Sequence, residues 1–425
     1  MKMTCGLNRG WVLILFLLVG VISYSIIASK TYVPQVVSPI TNGRSRISLS
    51  APLPPVAPMM WDDSEGAYMA SLVVGEGVVE LVLDTGSSQL SVKGPGCQWK
   101  TCNGNRCSVE ACPCGFTESG KPRTDCTDHY YQPSGYKISP GEKGSGMNTT
   151  MTYGSQTDTI EHYVDTVHVS VTSSQVMCDD LKYVPRKQDM TNNTPISPGM
   201  EGVIVHRVLH IEGSSSSNLL GLSRPNGGSV EHGSNVLLDT LIPSKVWSVV
   251  FHGKGGWLAF GPLPCFSPVH YAPLVQPPSF DAFLTSFYIL DIASISVGPT
   301  LETLKPLPKH PKYCVVDTGT TSTYCSPSFG KVLDSAGYDE LGWYFRIELG
   351  HSASPIMLTY SPQQLRDPEY PGQGVIEAWP GRTLDDYDDI FPPSHGGVIL
   401  FGARMMNNMY WEFDLKNNRI GISKA

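Results

Sequence analysis

The chain is poor in charge: only 16% of its 425 residues are Asp, Glu, Lys or Arg, the formal net charge is -8, and no long Lys/Arg block occurs. Phosphate neutralisation needs such a block, so nucleic acid is excluded as a partner. Also missing is a C-x2-C pair of the zinc-site kind, which leaves disulfides as the reading of the dense cysteines Cys97 to Cys126. His206 and His210 stand at an i, i+4 spacing but in a Gly- and Ser-flanked stretch, where solvated or hydrogen-bonded rings are expected. The segment Gly350-His351-Ser352-Ala353-Ser354 lacks the final glycine of a nucleophile elbow, and the acidic run Asp385 to Asp389 lacks the glycine and closing glutamate of a calcium loop. No metal and no cofactor is expected.

One long apolar run is present. Trp11 to Ala28 carries no charge and follows Lys2 and Arg9, as a membrane-targeting segment does. It is long enough for an anchor, while Ser23-Tyr24-Ser25 offers a small-x-small cleavage site; residues 1-10 form a short tail before it. Of eleven cysteines only Cys5 precedes the run, leaving an even ten beyond it. With sequons at Asn148 and Asn192, this places the body of the chain in a lumenal or extracellular compartment, with five disulfides expected. Residues 29-61, rich in Pro, Ser and Thr, read as a stalk or propeptide.

From Tyr68 onward, short apolar runs of Val, Ile, Thr, Tyr and Phe alternate with turns, in a chain that carries 42 glycines and 34 prolines in all. A mainly β architecture follows. Within it one element occurs twice, LVLDTGSS (Leu81 to Ser88) and CVVDTGTT (Cys314 to Thr321), each an apolar strand running into Asp-Thr-Gly and then two hydroxyl residues. The two aspartates lie 233 positions apart, a spacing that suits two lobes, 62-264 with a Cys-rich insertion at 97-126, and 265-425.

The chemistry needs these residue types. Two carboxylates too close to ionise together share one proton, so one acts as base and the other as acid on a bound water. Gly86 and Gly319 let main-chain N-H groups approach Asp84 and Asp317, Ser87 and Thr320 are placed to donate to the outer carboxylate oxygens, and Thr85 and Thr318 are placed to bond across the interface.

These residues resemble the pepsin-like aspartic peptidase family, from about Tyr68 to the C-terminus. MTYGSQTDTIEHYVDTVHV resembles its flap hairpin, with Tyr153 and Gly154 at the substrate-covering tip; NLLGLS (Asn218 to Ser223) and GVILFG (Gly397 to Gly402) resemble the strands beside the two aspartate loops; WEFDLKNNRIGIS resembles its closing strand pair. The resemblance implies a bilobal double-barrel fold with a cleft between pseudo-symmetric lobes. It also implies catalysis by Asp84 and Asp317, polypeptide substrates and a monomer. Ser91 departs from the pattern, standing where many members carry a tryptophan that bonds the flap tyrosine. The alternative from another class is a pepsin-fold binding or inhibitor protein that has lost catalysis.

Overall fold

The computed structural model describes residues 35–36, 53–63, 65–103, 106–112, 130–138, 150–153, 156–169, 178–185, 200–212, 218–224, 242, 244–276, 286–339, 341–351, 355–366, 374–378 and 397–425. Residues 1–28, Gly154, Cys114, Cys126, the sequon asparagines Asn148 and Asn192 and the acidic run at 385–389 lie outside the described residues. Among the described residues no helix is long and apolar enough to cross a membrane.

The fold is mainly β, in two sheets. Part of the larger sheet closes on itself. Ala67–Val74 pairs with Gly77–Asp84, which pairs with Leu219–Gly221, then come Leu90–Asn103, Met200–Glu212 and Gln156–Val169, and Leu72 pairs back to Val169. Six strands thus form a barrel, which removes the open edges that a flat sheet would leave. Alternation fills it: Leu72, Val74, Val79, Leu81, Leu83, Leu90, Val92, Val203, Val205 and Leu220 all point into one buried core. The rest of this sheet runs outward from Ala67–Val74 through Val56–Asp62, Gly255–Ala259, Val246–His252, Met409–Asp414 and Arg419–Lys424 to His270–Pro273. The last strands of the chain therefore return to the sheet that holds Val56–Asp62 and the barrel.

The smaller sheet is centred on Tyr288–Gly298, Tyr313–Asp317, Val398–Gly402 and Thr323–Cys325. Each sheet contributes one Asp-Thr-Gly loop, and by the same local device. Gly77–Asp84 pairs in parallel with Leu219–Gly221, setting Gly221 opposite Asp84; Tyr313–Asp317 pairs in parallel with Val398–Gly402, setting Gly402 opposite Asp317. Both glycines are sterically required, since a Cβ on Gly221 would lie 2.3 Å from Gln89 N and one on Gly402 2.1 Å from Ser322 O.

Three disulfides hold the described part together. Cys97–Cys112 and Cys102–Cys107 staple the insertion, and Cys178–Cys265 spans 87 positions. They fit maturation in an oxidising, secretory-type compartment. The expectation that all ten downstream cysteines pair is corrected: Cys314 and Cys325 are buried thiols outside any disulfide. Both are in register with Ile399, on opposite sides of the strand Val398–Gly402. Two strand spacings of about 4.8 Å separate them, beyond the roughly 7 Å that a disulfide spans. His206 and His210 lie on the strand Met200–Glu212; the His206 ring is buried rather than solvated, edge-on to His162 at 4.8 Å, whereas His210 is half-buried.

Candidate active site

Asp84 and Asp317 are each the final residue of an apolar strand whose preceding side chains fill the core. The chain must turn there, and Thr-Gly follows in both cases. The two loops meet. Thr85 N donates to Thr318 Oγ1 at 3.0 Å and Thr318 N donates to Thr85 Oγ1 at 2.9 Å. Each hydroxyl then donates onward across the same contact, Thr85 Oγ1 to Val316 O at 3.0 Å and Thr318 Oγ1 to Leu83 O at 2.8 Å. Thr85 and Thr318 are fully buried, so all four bonds are shielded from water.

This lock brings the carboxylates together over the glycines. A Cβ added to Gly86 would lie 3.0 Å from Asp317 Oδ1 and 3.1 Å from Asp84 Oδ1, and one on Gly319 would lie 2.4 Å from Asp84 Oδ1. Any side chain at Gly319 would displace Asp84. The main chain also serves each carboxylate directly, Gly86 N donating to Asp84 Oδ1 at 2.8 Å and Gly319 N to Asp317 Oδ1 at 3.0 Å.

The two hydroxyl partners differ. Thr320 Oγ1 donates to Asp317 Oδ2 at 2.6 Å, as the motif predicts. Ser87 lies beside Asp84 and holds its pKa down, yet its hydroxyl makes no hydrogen bond of full geometry. Burial raises both carboxylates above the ordinary range. For Asp84, the Ser87 and Gly86 donors and Asp317 itself act against that rise. Asp317, raised first by burial and then by the neighbouring Asp84 charge, is pushed up to about 7. Both side chains remain half-buried rather than sealed, and Gly319 is exposed, so the pair keeps an open side.

Compared with known proteins, the sequence matches no family model and no curated protein. The reading of the site therefore rests on its own geometry.

Around the pair, the flanking strands lie where the motif comparison places them. Leu222 N donates to Asp84 O at 2.7 Å and Ser223 N to Ser87 O at 2.8 Å on one side, Ala403 N to Thr320 O at 2.8 Å on the other. Thr150–Tyr153 and Gln156–Val169 form the antiparallel hairpin expected of the flap segment, with Tyr153 opposite Gln156. Ser91 is buried in the barrel wall, in register with His206 and Leu219. Among the described residues no group of His, Cys, Asp or Glu is arranged to hold a metal ion.

Two features escaped the sequence. Thr321 Oγ1 donates to Gly66 O at 2.7 Å, tying the second aspartate loop to the turn before the first barrel strand. Lys93 is buried in the barrel wall. Neither belongs to a recognisable motif, though the run of four hydroxyl residues after Gly319, Thr320 to Thr323, was a visible surplus of donors.

Proposed function

We propose that this chain is a pepsin-like aspartic endopeptidase, with a bilobal fold whose first lobe includes the strand Val56–Asp62, placed in sequence with the stalk, and with the cleft at the Asp84–Asp317 pair. One observation carries the reading: two Asp-Thr-Gly loops, one from each sheet, are locked by reciprocal threonine bonds so that two carboxylates share a site that cannot comfortably hold two charges. Between them the pair holds one proton.

In this mechanism a water bound between the carboxylates loses a proton to the ionised Asp84 as it attacks the scissile carbonyl. Asp317, the member that burial and the Asp84 charge keep protonated, donates a hydrogen bond to the carbonyl oxygen and then the proton. No covalent intermediate forms. Thr320, Gly86 and Gly319 hold the carboxylates in place, and Thr85 and Thr318 hold the loops. Tyr153 and Gly154 act at the tip of the hairpin, covering bound polypeptide. The peptidase acts as a monomer in the secretory pathway, without a cofactor, and is membrane-attached through residues 11-28 where these are retained.

The test is digestion of a denatured protein by the purified lumenal part from about pH 3 to about pH 7, where ordinary and raised carboxylates titrate, with and without pepstatin. Pepstatin-sensitive cleavage that disappears in both Asp84→Asn and Asp317→Asn is expected. Cleavage surviving either substitution rules the dyad out, and a folded chain that cleaves nothing is the inactive binding protein instead.

A further inference from the structure

Glycine turns the chain where a side chain would be strained. Gly66 has φ +62° and closes the turn after Val56–Asp62, its N-H donating to Asp62 O at 2.8 Å while Glu65 N donates to Asp62 Oδ1 at 3.2 Å. The Gly66 carbonyl accepts from a distant partner: Thr321 Oγ1 donates to it at 2.7 Å, across 255 positions of sequence. The three heavy atoms nearest to a Cβ placed on Gly66 all belong to Thr321, the closest being Oγ1 at 2.5 Å. The half-buried Thr321 side chain therefore packs directly on this glycine.

A second contact grips the same loop. Arg404 N donates to Thr321 O at 3.2 Å, and the Arg404 guanidinium lies 5.6 Å from the centre of the Trp61 ring. Trp61 stands opposite Tyr68 across the turn, their rings edge-on at 4.9 Å. The turn and its flank thus hold Thr321 by its side chain and, through Arg404, by its main chain. Thr321 follows Thr320, whose hydroxyl donates to Asp317 Oδ2 at 2.6 Å. Ser87, the counterpart of Thr320 at Asp84, completes no bond of that geometry.

We propose that Thr321 is a positioning residue and the turn Asp62–Gly66 the strut it leans on: the Thr321–Gly66 bond fixes the stretch of loop that aims the Thr320 hydroxyl at Asp317. Its part in turnover rests on the peptidase reading, whereas its hold on Asp317 does not. A hydroxyl that donates to a carboxylate favours the charged form. Once the strut is lost Thr320 is free to swing away, and Asp317, still facing the Asp84 charge, keeps its proton to higher pH.

Thr321→Val is close to isosteric and changes no charge, so a moved titration reports position rather than a lost ion. Carboxyl-carbon NMR of the aspartate-labelled full chain reads it, the Asp317 signal being identified by its absence from Asp317→Asn. The upper step of the pair's titration, seen at Asp317, is expected to rise by about half a unit or more in Thr321→Val, a fraction of what a full charge-assisted bond supplies. Thr321→Ser, which keeps the donor, should return the step to its wild-type position. Gly66→Ala, which pushes on Thr321 from the other side, should raise it as Thr321→Val does. In proteolysis Thr321→Val should lower kcat about tenfold, with KM within about twofold of wild type. An unmoved step in folded Thr321→Val, or a step raised equally in Thr321→Ser, would overturn the strut. So would a raised KM with the titration unmoved, which would make Thr321 a substrate contact. If Thr321→Val does not fold, Thr321→Ala decides on the same readouts. Should the wild type cleave no peptide while the titration contrast holds, the peptidase reading falls and the strut stands.

Discussion

Thr85 and Thr318 are partners twice over: each accepts the other's main-chain N-H on its hydroxyl, and each hydroxyl donates to a carbonyl just ahead of the other's aspartate. Neither hydroxyl can be removed without orphaning a buried amide and a buried carbonyl. Thr85→Val or Thr318→Val, close to isosteric, should therefore cost about 2–6 kcal/mol, at about 1–3 kcal/mol per buried group left unpaired. The double variant should cost less than the sum, because both positions serve one unit. Thr→Ser should keep most of the stability. Denaturant titration of the four variants measures this, and strict additivity would show that the two loops do not act as one.

The disulfides differ in what they restrain. Cys178–Cys265 closes a loop of 87 positions and Cys102–Cys107 one of 5. On the chain-entropy model, removing the first should cost about 4–5 kcal/mol and removing the second about 2 kcal/mol. Paired Cys→Ser variants unfolded in denaturant give the comparison, and equal losses would mean that native packing, not loop closure, dominates.

Cys314 and Cys325 should react with an alkylating reagent only after unfolding. Their relative exposures are 0% and 1%, and burial pushes the Cys314 thiol well above the usual range, so little nucleophilic thiolate is presented to solvent. Mass spectrometry of unreduced chain, alkylated before or after denaturation, should find these two labelled in the second case alone. Labelling in the native state would contradict the pairing of their strands around Val398–Gly402.

Asp84 and Asp317 were legible because the signal is local: an apolar strand that must stop, then a glycine turn, written twice. The strands beside them, Leu219–Gly221 and Val398–Gly402, were legible for the same reason, each ending on a glycine that close packing requires. What was hidden depends on register and curvature. Cys314 and Cys325 bracket the second motif in sequence, but a third strand inserts between them. His206 and His210 lie on a strand whose neighbours, the hairpin and the strand after Asp84, are remote in sequence. Lys93 looks like any surface lysine until the closed barrel buries it. Ser87 and Thr320 occupy equivalent motif positions, yet only Thr320 completes its hydrogen bond.

Tyr153 ends the first strand of the hairpin. If that hairpin closes over substrate, Tyr153→Ala should lower kcat/KM by about tenfold or more, since a displaced cover costs orientation, while the melting temperature stays near wild type. On the peptidase reading Ser91 takes the place of an indole N-H donor to this tyrosine, so Tyr153→Phe should cost much less. A large loss of stability in Tyr153→Ala without loss of turnover would make it a packing residue.

The dyad itself predicts how stability depends on pH. Asp317 titrates near 3.8 when unexceptional and at about 7 in the folded chain, the rise caused first by burial and then by the Asp84 charge. Between those values the folded state holds a proton that the unfolded state has released, so stability falls as pH rises from about 4 to about 7 and is flat in this contribution on either side. The slope is opposite to that of a salt-bridged carboxylate, whose stabilisation grows with pH over its own window. Asp317→Asn removes the titrating group, keeps the shape, and relieves Asp84 of a neighbouring charge. The variant should therefore gain on wild type as pH rises: the difference in melting temperature, variant minus wild type, should climb between about pH 4 and about pH 7 and level off above. Turnover should fall over the upper part of the same range, as the pair loses its last proton and with it the acid that serves the carbonyl. A melting-temperature difference independent of pH would show that the two carboxylates do not share a proton, and the mechanism proposed for them would go with it.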